Sequence, residues 1–212
     1  MGTISKGILG PFSGTVGTVI GGSWKGISYM RSQPSKRSFN PTQNQLEQQI
    51  KFGLMVKFLS SMGGLIAIGF GNYANKMTGQ NNALSYNLKN AITGVYPNFT
   101  ITYPQVLVSR GDLPGALNPT AAAAAGGIIN FNWTNNANTG KAKDTDLALL
   151  AVYCEATNQC IYTTGSAARN AGTDSLDVSA FSGKVVQTYI GFISADGYDI
   201  ASSVFTGQLT VL

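Results

Sequence analysis

The chain has 212 residues, enough for one large domain or two small ones with a substantial core. Charged residues make up 11%, against roughly a quarter in an ordinary globular protein, which excludes disorder driven by charge excess. Histidine is absent, so Ser-His-Asp and Cys-His catalytic systems and His-ligated metal sites are excluded within this chain. The composition points to a structural or binding protein and not an enzyme, with no cofactor. Charge is unevenly spread: residues 1–111 hold ten Lys/Arg against the single acid Glu47, and residues 112–212 hold four cations against eight acids. That asymmetry favours a basic face for an anionic partner, or head-to-tail stacking of copies.

Residues 1–40 form a Gly-rich basic arm. Two β-like patches, Thr15–Ile20 and Trp24–Met30, flank Gly21-Gly22-Ser23 and predict a hairpin. Ile4, Ile8, Leu9, Phe12, Val16, Val19 and Ile20 make the arm too apolar to float free in water, so it is expected to bury itself against another copy. Lys25, Arg31, Lys36 and Arg37 follow closely with Trp24 and Tyr29 among them, the mixture a nucleic-acid strand would use. The glycines at 7, 10, 14, 17 and 21 match neither a dinucleotide fingerprint nor a Walker loop. Pro11 and the repeated glycines break the apolar block that a cleaved signal peptide needs, and no run of eighteen apolar residues predicts a transmembrane helix. The expected location is an extracellular assembly or virus-like particle reached without a cleaved signal peptide, the cytoplasm being the alternative.

Residues 41–95 read as helical. Thr42 and Gln45 have the spacing of a capping box, and Leu46, Ile50, Leu54 and Phe58 recur every fourth residue, with Met55, Leu59 and Met62 widening the apolar face. Gly63-Gly64 punctuates, and further helices are predicted at Leu65–Met77 and Asn82–Ile92. From residue 96 the pattern changes to alternation and turns, with strands predicted at Phe99–Val108, Ile128–Thr134, Leu147–Cys154, Cys160–Thr164, Ser175–Ala180, Val185–Ser194 and Ala201–Val211, and a tight turn at Asp196-Gly197. The run Ala121–Ala125 reads equally as a helical turn or a loop. The fold class is therefore α+β: an extended arm or β-hairpin, a small helical layer, and a seven-stranded antiparallel β-sandwich of fibronectin or immunoglobulin type.

Cys154 and Cys160 bracket a hairpin, where a disulfide and two free, partly buried thiols are both open readings. Asp144 and Asp146, Asp174 and Asp177, and Asp196 and Asp199 fall at turns, where Asp serves the backbone, and none of these pairs makes a metal site. Trp133 and Tyr189 read as core, a glycan platform being the alternative.

Two resemblances follow. Ile129-Asn-Phe-Asn-Trp133, Tyr189 and the stretch from Asp196-Gly197 to Ala201-Ser202-Ser203 resemble a divergent fibronectin type III module. The whole chain resembles an uncharacterised family widespread in Bacteroidota, through Gly-Ile-Leu-Gly-x-Phe-Ser-Gly-x-Val-Gly-x-Val at Gly7–Val19, Ser23-Trp-Lys-Gly26, Pro41-Thr42, Gln45-Leu46, Lys51-Phe52, the stretch 86–94, Ser109-Arg-Gly-Asp-Leu-Pro-Gly115 and Arg169. Gln49 departs from that pattern, where an Arg is expected. The resemblance implies origin but no activity, cofactor or catalytic residue. The functional expectation is a self-assembling structural protein forming a filament, surface layer or virus-like shell through arm exchange or head-to-tail stacking. A nucleic-acid-associated protein and an adhesion or glycan-binding module are the alternatives.

Overall fold

The computed structural model describes residues 2–4, 7, 10–34, 40–72 and 77–212. The chain divides into two compact units, residues 1–42 and 43–212. The class is α+β, as expected from the sequence.

The first unit is a meander, not the single predicted hairpin. Strands β1 (Thr3–Ile4), β2 (Phe12–Val16), β3 (Val19–Trp24) and β4 (Ile27–Ser32) pair antiparallel in sequence order. Turns fall at Gly17-Thr18 and Lys25-Gly26, where Gly17, Lys25 and Gly26 take φ of 58°, 47° and 81°. Gly21-Gly22, expected as the turn, lies within β3 instead. Both glycines are covered by rings: a Cβ at Gly21 would collide with Phe12, and one at Gly22 would stand 3.1 Å from the Tyr29 ring. Aromatic cover of this kind compensates for the missing side chain in a strand.

The second unit is a three-layer structure. Helices α1 (Gln43–Ser60), α2 (Gly63–Gly69) and α3 (Gly79–Asn90) are followed by a small hairpin, β5 (Ile92–Val95) and β6 (Asn98–Ile101). Seven antiparallel strands then build the sandwich: β7 (Leu117–Ala124), β8 (Ile128–Thr134), β9 (Leu147–Cys154), β10 (Gln159–Tyr162), β11 (Thr173–Asp177), β12 (Val185–Ile193) and β13 (Val204–Thr210). One sheet has the order β11-β8-β7 and the other β10-β9-β12-β13. Strands β9 and β12 are buried on both faces because both faces are covered, β9 with apolar side chains throughout. Ala148, Leu150, Val152 and Cys154 point between the sheets with Phe131, Trp133 and Phe192. Leu149, Ala151 and Tyr153 point the other way, onto Met55, Phe58, Leu59, Met62, Leu65 and Ile66 of the helical segment. The 41–95 region is thus the third layer of the sandwich and shares its core, not a layer joined to it.

Several element boundaries shift for identifiable reasons. Helix α2 stops at Gly69, well before Met77, because the chain at Val108–Arg110 crosses there: a Cβ on Gly69 would lie 2.6 Å from Val108 O, and Arg110 N donates to Gly69 O at 2.8 Å. Helix α3 starts earlier than predicted, capped by Thr78, whose Oγ1 accepts from Asn81 N at 3.2 Å. The expected strand Phe99–Val108 is broken after Ile101 by a 3-10 turn holding Pro104. The first sandwich strand is instead the alanine run, paired to β8 through Ala121↔Phe131, Ala122↔Asn130 and Ala123↔Ile129. The Asp196-Gly197 turn is present, with Ser194 Oγ donating to Asp196 Oδ1 at 2.5 Å and Gly197 at φ 78°.

The disulfide reading is corrected. Cys154 and Cys160 are both free, and register explains why: Cys154 opposes Gln159 and Cys160 opposes Tyr153, so the two thiols lie on opposite faces of one sheet.

Candidate functional site

The meander of the first unit sorts the two residue sets singled out in the sequence onto opposite faces. Directly paired residues share a face and neighbours along a strand alternate. The pairs Ile4↔Phe12, Gly14↔Gly21, Val16↔Val19 and Gly21↔Met30 therefore build one face from Ile4, Phe12, Val16, Val19 and Met30, filled out by Ser23, Ser28 and Ser32. It carries no charge among the described residues. The pairs Gly22↔Tyr29, Trp24↔Ile27 and Ile20↔Arg31 build the other face, with Lys25 at the hairpin tip beside it. Ile20 thus leaves the expected assembly set and joins the aromatic and basic one. Ile8, Leu9, Lys36 and Arg37 lie outside the described residues.

Both faces are open. Among the described residues of this unit only Gly21 is buried, so the sheet encloses no side chain of its own. Met30 is 71% exposed, Val16 and Trp24 54% and Tyr29 48%. All six residues of β4 are exposed along the sheet edge. Charge is concentrated here as well. Residues 1–42 hold five Lys/Arg and no acid, whereas residues 43–212 hold nine cations and nine acids. The whole net charge of +5 belongs to the first unit.

With this geometry in place the comparison with known families is decisive. Residues 11–207 match the family described as "Family of unknown function (DUF6266)". The chain belongs to that family. The match runs from the residue before β2 into the last sandwich strand, so it takes in residues of both units. No curated protein matches the chain.

In the second unit the turn acids bond to their own loops. Asp177 Oδ1 accepts from Ser179 N at 2.9 Å, Asp196 Oδ1 from Tyr198 N at 3.1 Å, and Asp144 Oδ1 from Asn135 Nδ2 at 2.8 Å. Bonds to Ser179 hold Asp177, and bonds to Ser194 and Tyr198 hold Asp196, below the usual carboxylate range. Among the described residues no three of His, Cys, Asp and Glu gather at one point, and no single helix is long and apolar enough to cross a membrane. Trp133 and Tyr189 are buried, which removes them as a glycan platform. Trp133 Nε1 donates to Arg169 O at 2.8 Å and Tyr189 Oη to Tyr103 O at 3.1 Å.

Sequence reasoning missed Arg169 as a structural centre. The side chain is wholly buried and its guanidinium is spent on partners from four segments. Nε meets Asp146 Oδ2 at 3.1 Å, Nη1 meets Asn136 Oδ1 at 2.6 Å and Gly115 O at 3.2 Å, and Nη2 meets Pro114 O at 2.9 Å, while Cζ stands 3.9 Å above the Phe192 ring. Burial pulls the guanidinium below its ordinary value, opposed by Asp146. The available signals were the scarcity of cations in this half of the chain, where Arg169 is the one arginine, and the appearance of Arg169 in the family pattern.

The core between helices and sheet gathers hydroxyl and thiol groups in their protonated forms. Burial pushes Tyr153 and Cys160 up to about 12, with the Glu155 charge adding to Tyr153. Tyr103 and Tyr189 are raised further, again chiefly by burial, with Glu155 adding to Tyr103. Below the ordinary values of 9.0 for Cys and 10.0 for Tyr, folded and unfolded chains both keep these protons and stability is unaffected. Above them the unfolded chain releases protons that the fold retains, so stability is lost as pH rises toward 12. Each such group adds up to about 1.4 kcal/mol per pH unit. The urea midpoint is expected to hold from pH 7 to 9 and to fall steeply from 10 to 12, with Tyr153→Phe flattening the fall. An unchanged midpoint at pH 11 would contradict this account.

Proposed function

We propose that the protein is a non-enzymatic structural component that assembles with copies of itself through the uncharged face of its N-terminal sheet. One observation carries this reading: a unit of about forty residues presents an apolar sheet face while none of its described side chains is buried. A sheet this small gains independent stability only when a face is covered. A second copy suits the task because the described cations Lys25 and Arg31 lie off that face, so two such faces meet without opposing like charges. Sheets packed face to face approach to about 10 Å, and each large side chain fully buried contributes roughly 1.5–3 kcal/mol. The open β4 edge offers backbone groups for extension of the sheet.

The fibronectin-like reading of the second unit is supported by its seven strands divided as β11-β8-β7 and β10-β9-β12-β13. Such a sandwich, stiffened by its helical layer, would serve as the body of each subunit.

The test is the mass in solution. Full-length protein is expected to run as an oligomer by size-exclusion chromatography with light scattering and to form regular particles or filaments in negative stain. A triple variant, Val16→Ser with Val19→Ser and Met30→Ser, is expected to run at the single-chain mass of 22.2 kDa with its sandwich still folded. A wild-type chain that stays solitary at high concentration, or a triple variant that assembles as wild type does, ends the proposal.

A further inference from the structure

The opposite face of the N-terminal sheet has chemistry that self-assembly does not use. Trp24 and Tyr29 lie on adjacent strands at diagonal positions, since Trp24 pairs with Ile27 and Gly22 with Tyr29. Diagonal neighbours on a sheet stand about 7–8 Å apart, a step that two successive unstacked bases can span. Tyr29 lies down over Gly22, whose absent side chain lets the ring rest on the backbone, while the residue as a whole stays 48% exposed. Trp24 is 54% exposed. Arg31 occupies the same face at the next position along β4, and Lys25 follows Trp24 at the tip. The unit around them carries five cations and no acid.

We propose that this face is a stacking platform for single-stranded nucleic acid, with Trp24 and Tyr29 each taking a base and Arg31 and Lys25 taking the phosphates between and beside them. The occupant follows from charge complementarity together with ring geometry. Arg31 and Lys25, in a unit whose sequence holds five cations and no acid, attract a polyanion. Exposed rings on neighbouring strands of a sheet offer the π-faces that unpaired bases use, without dependence on sequence. A duplex hides those base faces, and a purely apolar partner would offer Arg31 no opposite charge. The inference is independent of the assembly reading, because it uses the other face. If both hold, one sheet joins subunits on one side and holds a nucleic-acid strand on the other.

The experiment uses the full chain and a fluorescein-labelled oligothymidylate of fifteen nucleotides, followed by anisotropy at 50 and 200 mM salt, with oligomeric state measured on the same samples. Binding is expected at 50 mM and a steep loss at 200 mM, because neutralised phosphates release counterions. Tryptophan emission is expected to be quenched on binding, and the quenching reports Trp24, because Trp133 is buried. Trp24→Ser and Tyr29→Ser are each expected to weaken binding about tenfold or more. Trp24→Phe, which keeps a stacking ring, should restore most of the affinity, and this separates lost stacking from a disrupted sheet. Arg31→Gln should lower the salt slope by about one. Absence of binding at 50 mM salt overturns the proposal, as does affinity indifferent to Trp24→Ser and Tyr29→Ser. So does capture of the chain by vesicles of phosphatidylserine and phosphatidylcholine with none by the oligonucleotide. Each of these outcomes leaves the assembly reading standing on its own measurement.

Discussion

Replacing Arg169 with alanine is expected to cost about 3–5 kcal/mol of folding stability, the range seen when one partner of a buried ion pair is removed. The magnitude follows from what would be left behind. Asp146 is as fully buried as Arg169, and its Oδ2 would keep only the Lys143 backbone N–H at 2.9 Å. Asp146 Oδ1 already has no hydrogen-bond partner among the described residues. Pro114 O and the Asn136 amide oxygen would lose the guanidinium at the same time, and Gly115 O would keep only the bond from Asn136 Nδ2 at 3.0 Å. These groups come from two connections, the stretch before β7 and the loop between β8 and β9, which the guanidinium holds over Phe192 and beside Trp133, so their release should loosen one end of the sandwich. Arg169→Lys is expected to rescue little, because a single ammonium cannot reproduce the planar fork. Urea unfolding followed by circular dichroism measures the effect. The double variant Arg169→Met with Asp146→Leu should recover most of the loss, since it removes both charges together. A single alanine variant within 1 kcal/mol of wild type would show that the network contributes little to stability.

Legibility of this fold from sequence depended on whether a signal was local. Helix α1 was readable because Leu46, Ile50, Leu54 and Phe58 mark one face at helical spacing, and β9 because its unbroken apolar run requires cover on both sides. The first sandwich strand was not, because alanine favours neither state clearly. The ladder to β8 makes it a strand, and that ladder involves residues several positions away. The Cys154–Cys160 hairpin was placed correctly, yet its register turned the two thiols to opposite faces of the sheet. Register decided the candidate site too. With the turns at Gly17-Thr18 and Lys25-Gly26 the apolar and aromatic sets separate by face, whereas a slip of one residue would exchange them. The sequence therefore named most of the relevant residues and left their arrangement open. For Arg169 the partners lie 23 to 55 positions away, beyond any local pattern.

Gly111→Ala is expected to destabilise the second unit by about 1–3 kcal/mol, although the substitution adds one methyl group and leaves the charges of Arg110 and Asp112 intact. The structure packs the backbone of Arg110 and Gly111 between the helical layer and the last strands. A Cβ at Gly111 would collide with Ile200 O, and that carbonyl is held in place by accepting from Leu113 N at 3.0 Å. The flanking backbone is fixed just as closely. Ser109 Oγ donates to Ala201 O at 2.8 Å, Val108 N to Ser203 Oγ at 2.9 Å, and Ser202 Oγ to Gly111 O at 3.2 Å, with Asp112 and Leu113 bridging to Ala201. On the other side Arg110 N donates to Gly69 O, and its guanidinium lies 5.0 Å from the Tyr86 ring centroid. The added methyl can be accommodated only by moving a strand-like crossing bonded on both sides, so the strain falls on these contacts together. The thermal midpoint should drop by several degrees. An alanine variant as stable as wild type would mean that the crossing can shift away from Ile200 at no cost. In that case the close approach seen here would not be what demands glycine at this position.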